Sequence, residues 1–244
     1  MSANQYVLVT GMRATRATVA RWQQNPWPVL RRWAALALAI ALVLLAATWL
    51  LAGIFTPDGT PIQLPGRTVP AHADDMLPIL YRNSLVLALH ATACVAGFIA
   101  GSSMPVAAAQ RRGLCRWIHL KASQLAIVWV SACTLFSLLT PAVFLGFQGA
   151  TISFQLDITH AALMLSVLPH AIIELVALFL PLAAWLIASR RGEWNQLLAA
   201  TFVTVLLAVP ALVIAATLEV YVWPHFLDSL SPLPPNQLLL PGLS

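Results

Sequence analysis

Charged residues are scarce in this sequence. Lys, Arg, Asp and Glu make up 9% of its 244 residues, while 60% are hydrophobic; a soluble domain is about a quarter charged. This composition excludes a water-soluble globular enzyme. Cysteine is also rare, and Cys94, Cys115 and Cys133 lie in or beside apolar runs, so the sequence does not indicate a disulfide framework.

The apolar residues are gathered into five runs long enough to cross a bilayer, which takes about 20 residues. Strands of a membrane barrel would alternate polar and apolar residues over about ten positions, so these continuous runs predict helices. We therefore predict an all-α polytopic membrane protein with five transmembrane helices. The predicted spans are approximately residues 33–55, 83–109, 123–147, 159–188 and 195–223.

The basic residues lie in short clusters between these runs, where they indicate topology and not a nucleic-acid partner, despite the net charge of +5. With the N-terminus in the cytoplasm, all but two of the 13 Lys and Arg residues are cytoplasmic, the exceptions being Arg67 and Arg82. The C-terminus is then outside. We predict a cytoplasmic basic arm at residues 1–32, a membrane domain at 33–224 and a Pro-rich extracytoplasmic tail at 225–244.

The fourth run contains two ionisable residues, His170 and Glu174, which lie one helical turn apart on one face. A charge at mid-bilayer costs about 2.5–3.5 kcal/mol, so Glu174 should face protein or a wet cavity, be paired, or be protonated. Pro169 and Pro181 each remove a backbone donor, which predicts a kinked helix with free carbonyl groups that can bind a proton, water or an ion.

The second and fifth runs add further polar groups. Asn83 and His90 share one face of the second run with Gly97 and Gly101, which form a small-residue packing seam. In the fifth run an acidic residue lies about one turn below the outer surface. The candidate intramembrane polar cluster, expected to border one cavity that opens outward, is Asn83, His90, His170, Glu174 and Glu219.

Two interpretations of this cluster stay open. His170 and Glu174 can satisfy each other and fix two helices together, or they can form a site for a proton, a cation or a metal. Glu219 can equally extend to the interface and be solvated there.

The segment Pro169–Glu174 resembles the Pro-His-Gly-x-x-Glu signature of the stage II sporulation protein M family, with Ala171 in place of the glycine and Pro181 as a further departure. Three more segments occur in the family's order, and with the signature they cover residues 83–224. They are Arg82–Leu85, Phe144–Gly149 and Leu218–Pro224. The first begins the span that contains Gly97 and Gly101, and the second is rich in glycine, with Gly146 and Gly149.

This resemblance implies an integral protein of a bacterial or archaeal cytoplasmic membrane. The sporulation member looks like part of an envelope-remodelling complex that acts on peptidoglycan with partner hydrolases. We therefore expect a non-enzymatic membrane subunit that scaffolds an envelope-associated complex, with the lipid bilayer and other proteins as partners and without a cofactor. The sequence does not decide whether the protein forms a homo-oligomer.

Two other functions compete with the subunit. A proton- or cation-linked transporter would use the His170/Glu174 pair in a broken helix near mid-membrane. An intramembrane metal hydrolase would need three ligands, for example His90, His170 and Glu174 with Glu219 as the base. No paired-ligand motif such as His-Glu-x-x-His is present to favour the hydrolase.

Overall fold

The computed structural model describes residues 3–103, 109 and 112–240. Helices make up most of the chain, and no strand occurs in these residues. Residues Ala73–Asp75 and Trp194–Gln196 form short 3-10 turns, and residues Ile99–Ser103 form a π-helical turn. The α-helices are α1 (Ala3–Gln24), α2 (Trp27–Ala52), α3 (Met76–Phe98), α4 (Gly113–Gln155), α5 (His160–Arg191), α6 (Leu197–Tyr221) and α7 (Trp223–Leu230).

Five helical segments of the described chain are long and apolar enough to cross a membrane, which confirms the all-α, multi-pass class. They are Trp27–Ala52, Ala73–Ser102, Val130–Gln155, His160–Arg191 and Trp194–Leu230. Residues 104–108 of the predicted second span, Arg111 in the basic cluster after it, and the side chains of Cys115 and Cys133 lie outside the described residues.

Several helix boundaries differ from the predicted spans; α3 begins at Met76 and α4 at Gly113, ahead of residues 83 and 123. α2 begins at Trp27, ahead of residue 33, because Pro28 stands in its first turn, where the missing N–H leaves no hydrogen bond unmade. α4 continues past the predicted end at residue 147 as far as Gln155. Gly146 does not end the helix, because it serves close packing: a Cβ there would lie 2.6 Å from Leu51 Cβ of α2.

α5 is the most enclosed of the five candidate spans. In its most apolar window 56% of the residues are buried, against 22–33% in the other four. The helix is continuous through Pro169 and Pro181, since proline in a packed membrane helix is tolerated when neighbouring groups satisfy the backbone. The buried residues of α5 lie mainly at 175–185; in the signature segment His170 is buried, residues 171–174 are half-buried and Pro169 is exposed.

The chain divides into two compact units, each built from parts of several helices. Unit 1 comprises Met1–Ala37, Val86–Leu135 and Ala177–Ala208. Unit 2 comprises Leu38–Leu85, Phe136–Val176 and Val209–Ser244.

The N-terminal arm belongs to unit 1 and is helical. The turn at Asn25–Pro26 separates α1 from α2, as the proline pair predicts. Trp22 of α1 packs edge-on against Trp33 of α2 with ring centroids 5.1 Å apart, and α1 also packs on the Trp194–Gln196 turn. The arm is thus fixed to the membrane helices of its unit.

Candidate functional site

Three helices of unit 2 bring acidic and amide groups together. Glu174 of α5 and Glu219 of α6 interact electrostatically with each other and with Arg82 of α3. Asn83 directs its side chain at Glu174. The two glutamates are half-buried, whereas Arg82 is exposed. We refer to Asn83, Glu174 and Glu219 as the acid cluster.

Asn83 has an unsatisfied polar atom at this position. Its side chain is 7% exposed, and no hydrogen-bond partner for Nδ2 exists among the described residues. A buried donor without an acceptor costs about 1–3 kcal/mol. The carboxyl group of Glu174 is the polar group closest to satisfying this amide, since the Asn83 side chain interacts with it.

A small apolar cluster next to the acid cluster joins α3 to α6. Ile79, Ala216 and Val220 are all buried and pack together. Ile79 lies one turn before Asn83, and Val220 directly follows Glu219. This packing fixes the two helices at the positions that carry the amide and the second carboxyl group.

His170 packs against an aromatic ring. Its ring packs edge-on against Trp223 at the start of α7, with centroids 5.6 Å apart. The Trp223 indole N–H donates to Ser166 Oγ at 3.0 Å, one turn earlier on α5. No ion pair or hydrogen bond joins His170 to Glu174 in the described part of the chain, so the carboxyl group of Glu174 interacts with Asn83 and Glu219 instead.

His90 lies in unit 1, where it holds α3 against α5. Its Nδ1 is 2.9 Å from the carbonyl oxygen of Leu178, and it must be the donor because a carbonyl only accepts. One turn further along α3, the thiol of Cys94 donates to the carbonyl of Pro181 at 3.1 Å. Two carbonyls near Pro181 are therefore bonded to α3, but neither is the carbonyl of Ala177, which the missing N–H of Pro181 leaves without its helical partner.

The glycines of the predicted packing seam also lie in unit 1, where each accommodates a tryptophan. A Cβ at Gly97 would lie 2.6 Å from the indole nitrogen of Trp185. At Gly101 a Cβ would overlap the ring of Trp194. These contacts show why a side chain larger than hydrogen does not fit at either position, in agreement with the packing role.

A folded cap, which we define as residues 54–72 and 223–240, covers the end of α4 in unit 2. Gln155, the last residue of α4, is fully buried and makes three side-chain hydrogen bonds to the loop. Its Nε2 donates to the carbonyls of Asp58 at 3.0 Å and Thr60 at 2.8 Å, and its Oε1 accepts from the Ile62 amide at 3.0 Å.

The tail satisfies the carbonyls at the end of the same helix. Leu239 N donates to the Gln155 carbonyl at 2.9 Å, and Ser231 Oγ donates to the Leu156 carbonyl at 2.6 Å. These carbonyls have no partner within a helix. Leu64 and Leu227 of the cap pack with Leu156 and Leu163 in a buried apolar cluster.

An ion pair joins the loop to the tail. The guanidinium of Arg67, whose side chain is fully buried, bonds Asp228 at 2.5 Å and the carbonyl of Leu233 at 3.2 Å. Gly66 precedes it with φ +82°, and a Cβ at Gly66 would lie 2.7 Å from Pro224 Cγ. The loop therefore needs glycine here both for its backbone conformation and for its contact with α7.

The cap was not predicted from the sequence, because the loop and the tail were each considered alone when their ability to fold was assessed. Each is too short and too rich in proline to fold alone, but they fold on one another and on α4. A signal is present: Thr151 and Gln155 lie one turn apart at the end of an apolar run, and Thr151 Oγ1 accepts from the Asp58 amide at 3.0 Å.

Two findings complete the description of the site. In the part of the chain that the structure describes, no group of three or more His, Cys, Asp or Glu side chains is placed to hold a metal ion.

Comparison of the chain with protein-family models, with curated proteins and with solved structures found no match.

Proposed function

We propose that this chain is a non-enzymatic integral membrane subunit, resembling stage II sporulation protein M, that scaffolds a complex associated with the envelope of a bacterium or archaeon. The folded cap is the observation that carries the proposal. A loop and a tail that served only as connections would not need an ion pair to a buried guanidinium and a helix end closed by three side-chain hydrogen bonds.

The cap offers a partner a surface that is ordered before binding. Its residues are held to α4 through Gln155 and to each other through Arg67 and Asp228. Because little conformational entropy remains to be lost, a partner can bind such a surface at a lower free-energy cost than it could bind a mobile loop. Phe226 and Gln63 are exposed on it and give it both apolar and polar contact groups. We propose that the partner is a protein domain on the extracytoplasmic side.

Crosslinking in intact cells tests this proposal. A photoreactive amino acid at Phe226 should capture one protein in stoichiometric yield, while the same group at the exposed Phe202 of α6 should react with lipid. Capture should be lost when Gln155→Ala releases the loop and kept in Gln148→Ala, a matched change on the same helix. Equal capture from both photoreactive positions, or capture that is insensitive to Gln155→Ala, would refute the cap as the binding surface.

The N-terminal arm is the other surface that the sequence analysis considered for partners. Deleting residues 1–32 should leave capture at Phe226 unchanged if the cap binds the partner. Loss of capture in that deletion, with the membrane domain still folded, would shift the binding surface to the arm and contradict our proposal.

The acid cluster favours a second candidate, a proton- or cation-linked transporter. Two carboxyl groups on different candidate membrane-spanning helices interact electrostatically, and such groups occur on proton and ion pathways. Purified protein in liposomes with an imposed pH gradient should then carry a proton or cation flux that Glu174→Gln abolishes and Gln148→Ala leaves intact. A flux that Glu174→Gln leaves unchanged would reject this role.

A further inference from the structure

A small pocket in unit 1 lies where three candidate membrane spans have their ends. Residues from the first turns of α2 and α6, the last turns of α5 and the turn between α5 and α6 line it, together with one residue of α1. We call it the arginine pocket and define it by the polar and aromatic residues of its lining, which are Trp22, Arg32, Trp33, Arg191, Glu193 and Gln196.

The arginine pocket contains two guanidinium groups that have no acceptor in the described chain. Arg32 of α2 and Arg191 of α5 line the same space, although they lie on different helices. Neither forms an ion pair or a hydrogen bond with the residues that the structure describes. A guanidinium presents its N–H donors in a planar fork that matches the oxygens of a carboxylate or a phosphate. Two such groups on one cavity therefore suit an oxygen anion.

The charge and the size of the pocket indicate which anion fits. Glu193 is the acidic residue of the lining, so with Arg32 and Arg191 it gives the lining a net charge of +1. One phosphodiester group, which carries a single negative charge, balances this. The cavity volume is about 50 Å³, which is room for about four water-sized groups. A phosphorus atom with its four oxygens is of that size.

The position of the pocket indicates that this phosphate belongs to a lipid. The ends of membrane spans lie at the level of the headgroups, where tryptophan is enriched. Trp22 and Trp33 form one wall and pack edge-on with ring centroids 5.1 Å apart. Both arginines of the pocket are exposed and can be reached from the headgroup layer. The basic clusters of the sequence predict that this end of the spans is cytoplasmic, and the cytoplasmic leaflet contains anionic lipids.

We propose that the arginine pocket binds the phosphodiester group of one anionic phospholipid, whose oxygens accept hydrogen bonds from Arg32 and Arg191. The bound lipid would join the start of α2 to the end of α5 within unit 1. The proposal goes beyond the scaffold role, which depends on the cap in unit 2. Lipid binding and capture of a protein at the cap can therefore fail independently of each other.

Native mass spectrometry of the full-length protein in detergent tests the proposal. Phosphatidylglycerol and phosphatidylcholine with identical acyl chains are added separately at the same concentration. One phosphatidylglycerol should stay bound under conditions that remove phosphatidylcholine, and inorganic phosphate at millimolar concentration should not displace it. Equal retention of the two lipids would overturn the proposal. Displacement by inorganic phosphate would assign the site to a soluble phosphate and would also overturn it.

Two double variants separate this site from general attraction between basic residues and anionic lipids. Arg32→Gln with Arg191→Gln should lower the affinity for phosphatidylglycerol by at least about tenfold, because charge-assisted hydrogen bonds are lost. Arg31→Gln with Arg190→Gln is the matched control. It makes the same change in charge on the same two helices, at exposed residues that do not line the pocket. Equal weakening in both double variants would overturn the proposal.

Two further variants keep the test decisive. If the glutamine pair at the pocket does not fold, Arg32→Lys with Arg191→Lys keeps the charge but loses the planar fork. It should still weaken binding by at least about threefold, whereas Arg31→Lys with Arg190→Lys should not. Glu193→Gln removes a like charge beside the phosphate and should strengthen binding by about threefold. Unchanged affinity in the lysine pair at the pocket, or weaker binding in Glu193→Gln, would overturn the proposal.

Discussion

Gln155→Ala should release the loop of the cap from the end of α4. The substitution deletes three hydrogen bonds and leaves the Asp58 and Thr60 carbonyls and the Ile62 amide without partners. At about 1 kcal/mol for each bond, the loop loses about 3 kcal/mol of local stability. Since 1.4 kcal/mol corresponds to about a factor of ten, amide exchange in the Ile62 segment should accelerate by about 100-fold.

Hydrogen exchange followed by mass spectrometry in lipid nanodiscs measures this effect directly. Gln148→Ala is the control, because Gln148 lies on the same helix and makes no side-chain hydrogen bond in the described residues; its effect should stay within about 0.5 kcal/mol. An acceleration of less than about threefold in Gln155→Ala, or one equal to that of the control, would show that the loop is held by other contacts and would refute the reasoning.

The remaining predictions concern thermal stability in detergent. Gly146→Ala should destabilise by about 1–3 kcal/mol because its Cβ overlaps α2, whereas Gly149→Ala, whose nearest contact would be an ordinary 3.4 Å, should be neutral or slightly stabilising. Gly66→Ala should cost at least about 1 kcal/mol because of its positive φ, but Gly59→Ala, with open space around it, should cost little. Asp228→Asn should cost about 1.5–3 kcal/mol by leaving the buried guanidinium opposite it without a charge partner, and tail proteolysis should rise. Equal melting temperatures in Gly146→Ala and Gly149→Ala, or in Gly66→Ala and Gly59→Ala, would contradict the assigned contacts. For Asp228→Asn, a melting temperature equal to that of the wild type would do so.

The five spans were predictable from the sequence because the bilayer imposes a simple rule: a run of apolar residues long enough to cross it must be helical. Asn83, Glu174 and Glu219 were predicted to lie together because each is costly to expose to lipid, but the same reasoning placed His90 with them, and His90 instead bonds Leu178 in unit 1. Helix ends were harder to predict from the sequence. A glycine such as Gly146 can end a helix or can allow a neighbouring helix to pack closely, and only the position of Leu51 in the structure distinguishes the two.

The partners of each polar group could not be predicted from spacing along one helix. His170 and Glu174 share a face of α5, so sequence reasoning paired them. The structure instead gives each a partner from an element that is distant in the chain, because aromatic packing and electrostatic interactions depend on which helix lies opposite. The ion pair between Arg67 and Asp228 was not predicted either, because these two residues also lie on elements that are distant in the chain.

The two ionisable residues of the signature-like segment therefore have separable roles in unit 2. His170 supports Trp223, which in turn bonds Ser166 and sets where α7 begins, so the histidine acts on the cap. Glu174 faces Asn83 and the second acid, so the glutamate acts on the interior of the helix bundle. The aromatic contact at one turn of this segment and the carboxyl group at the next therefore act on different elements of unit 2.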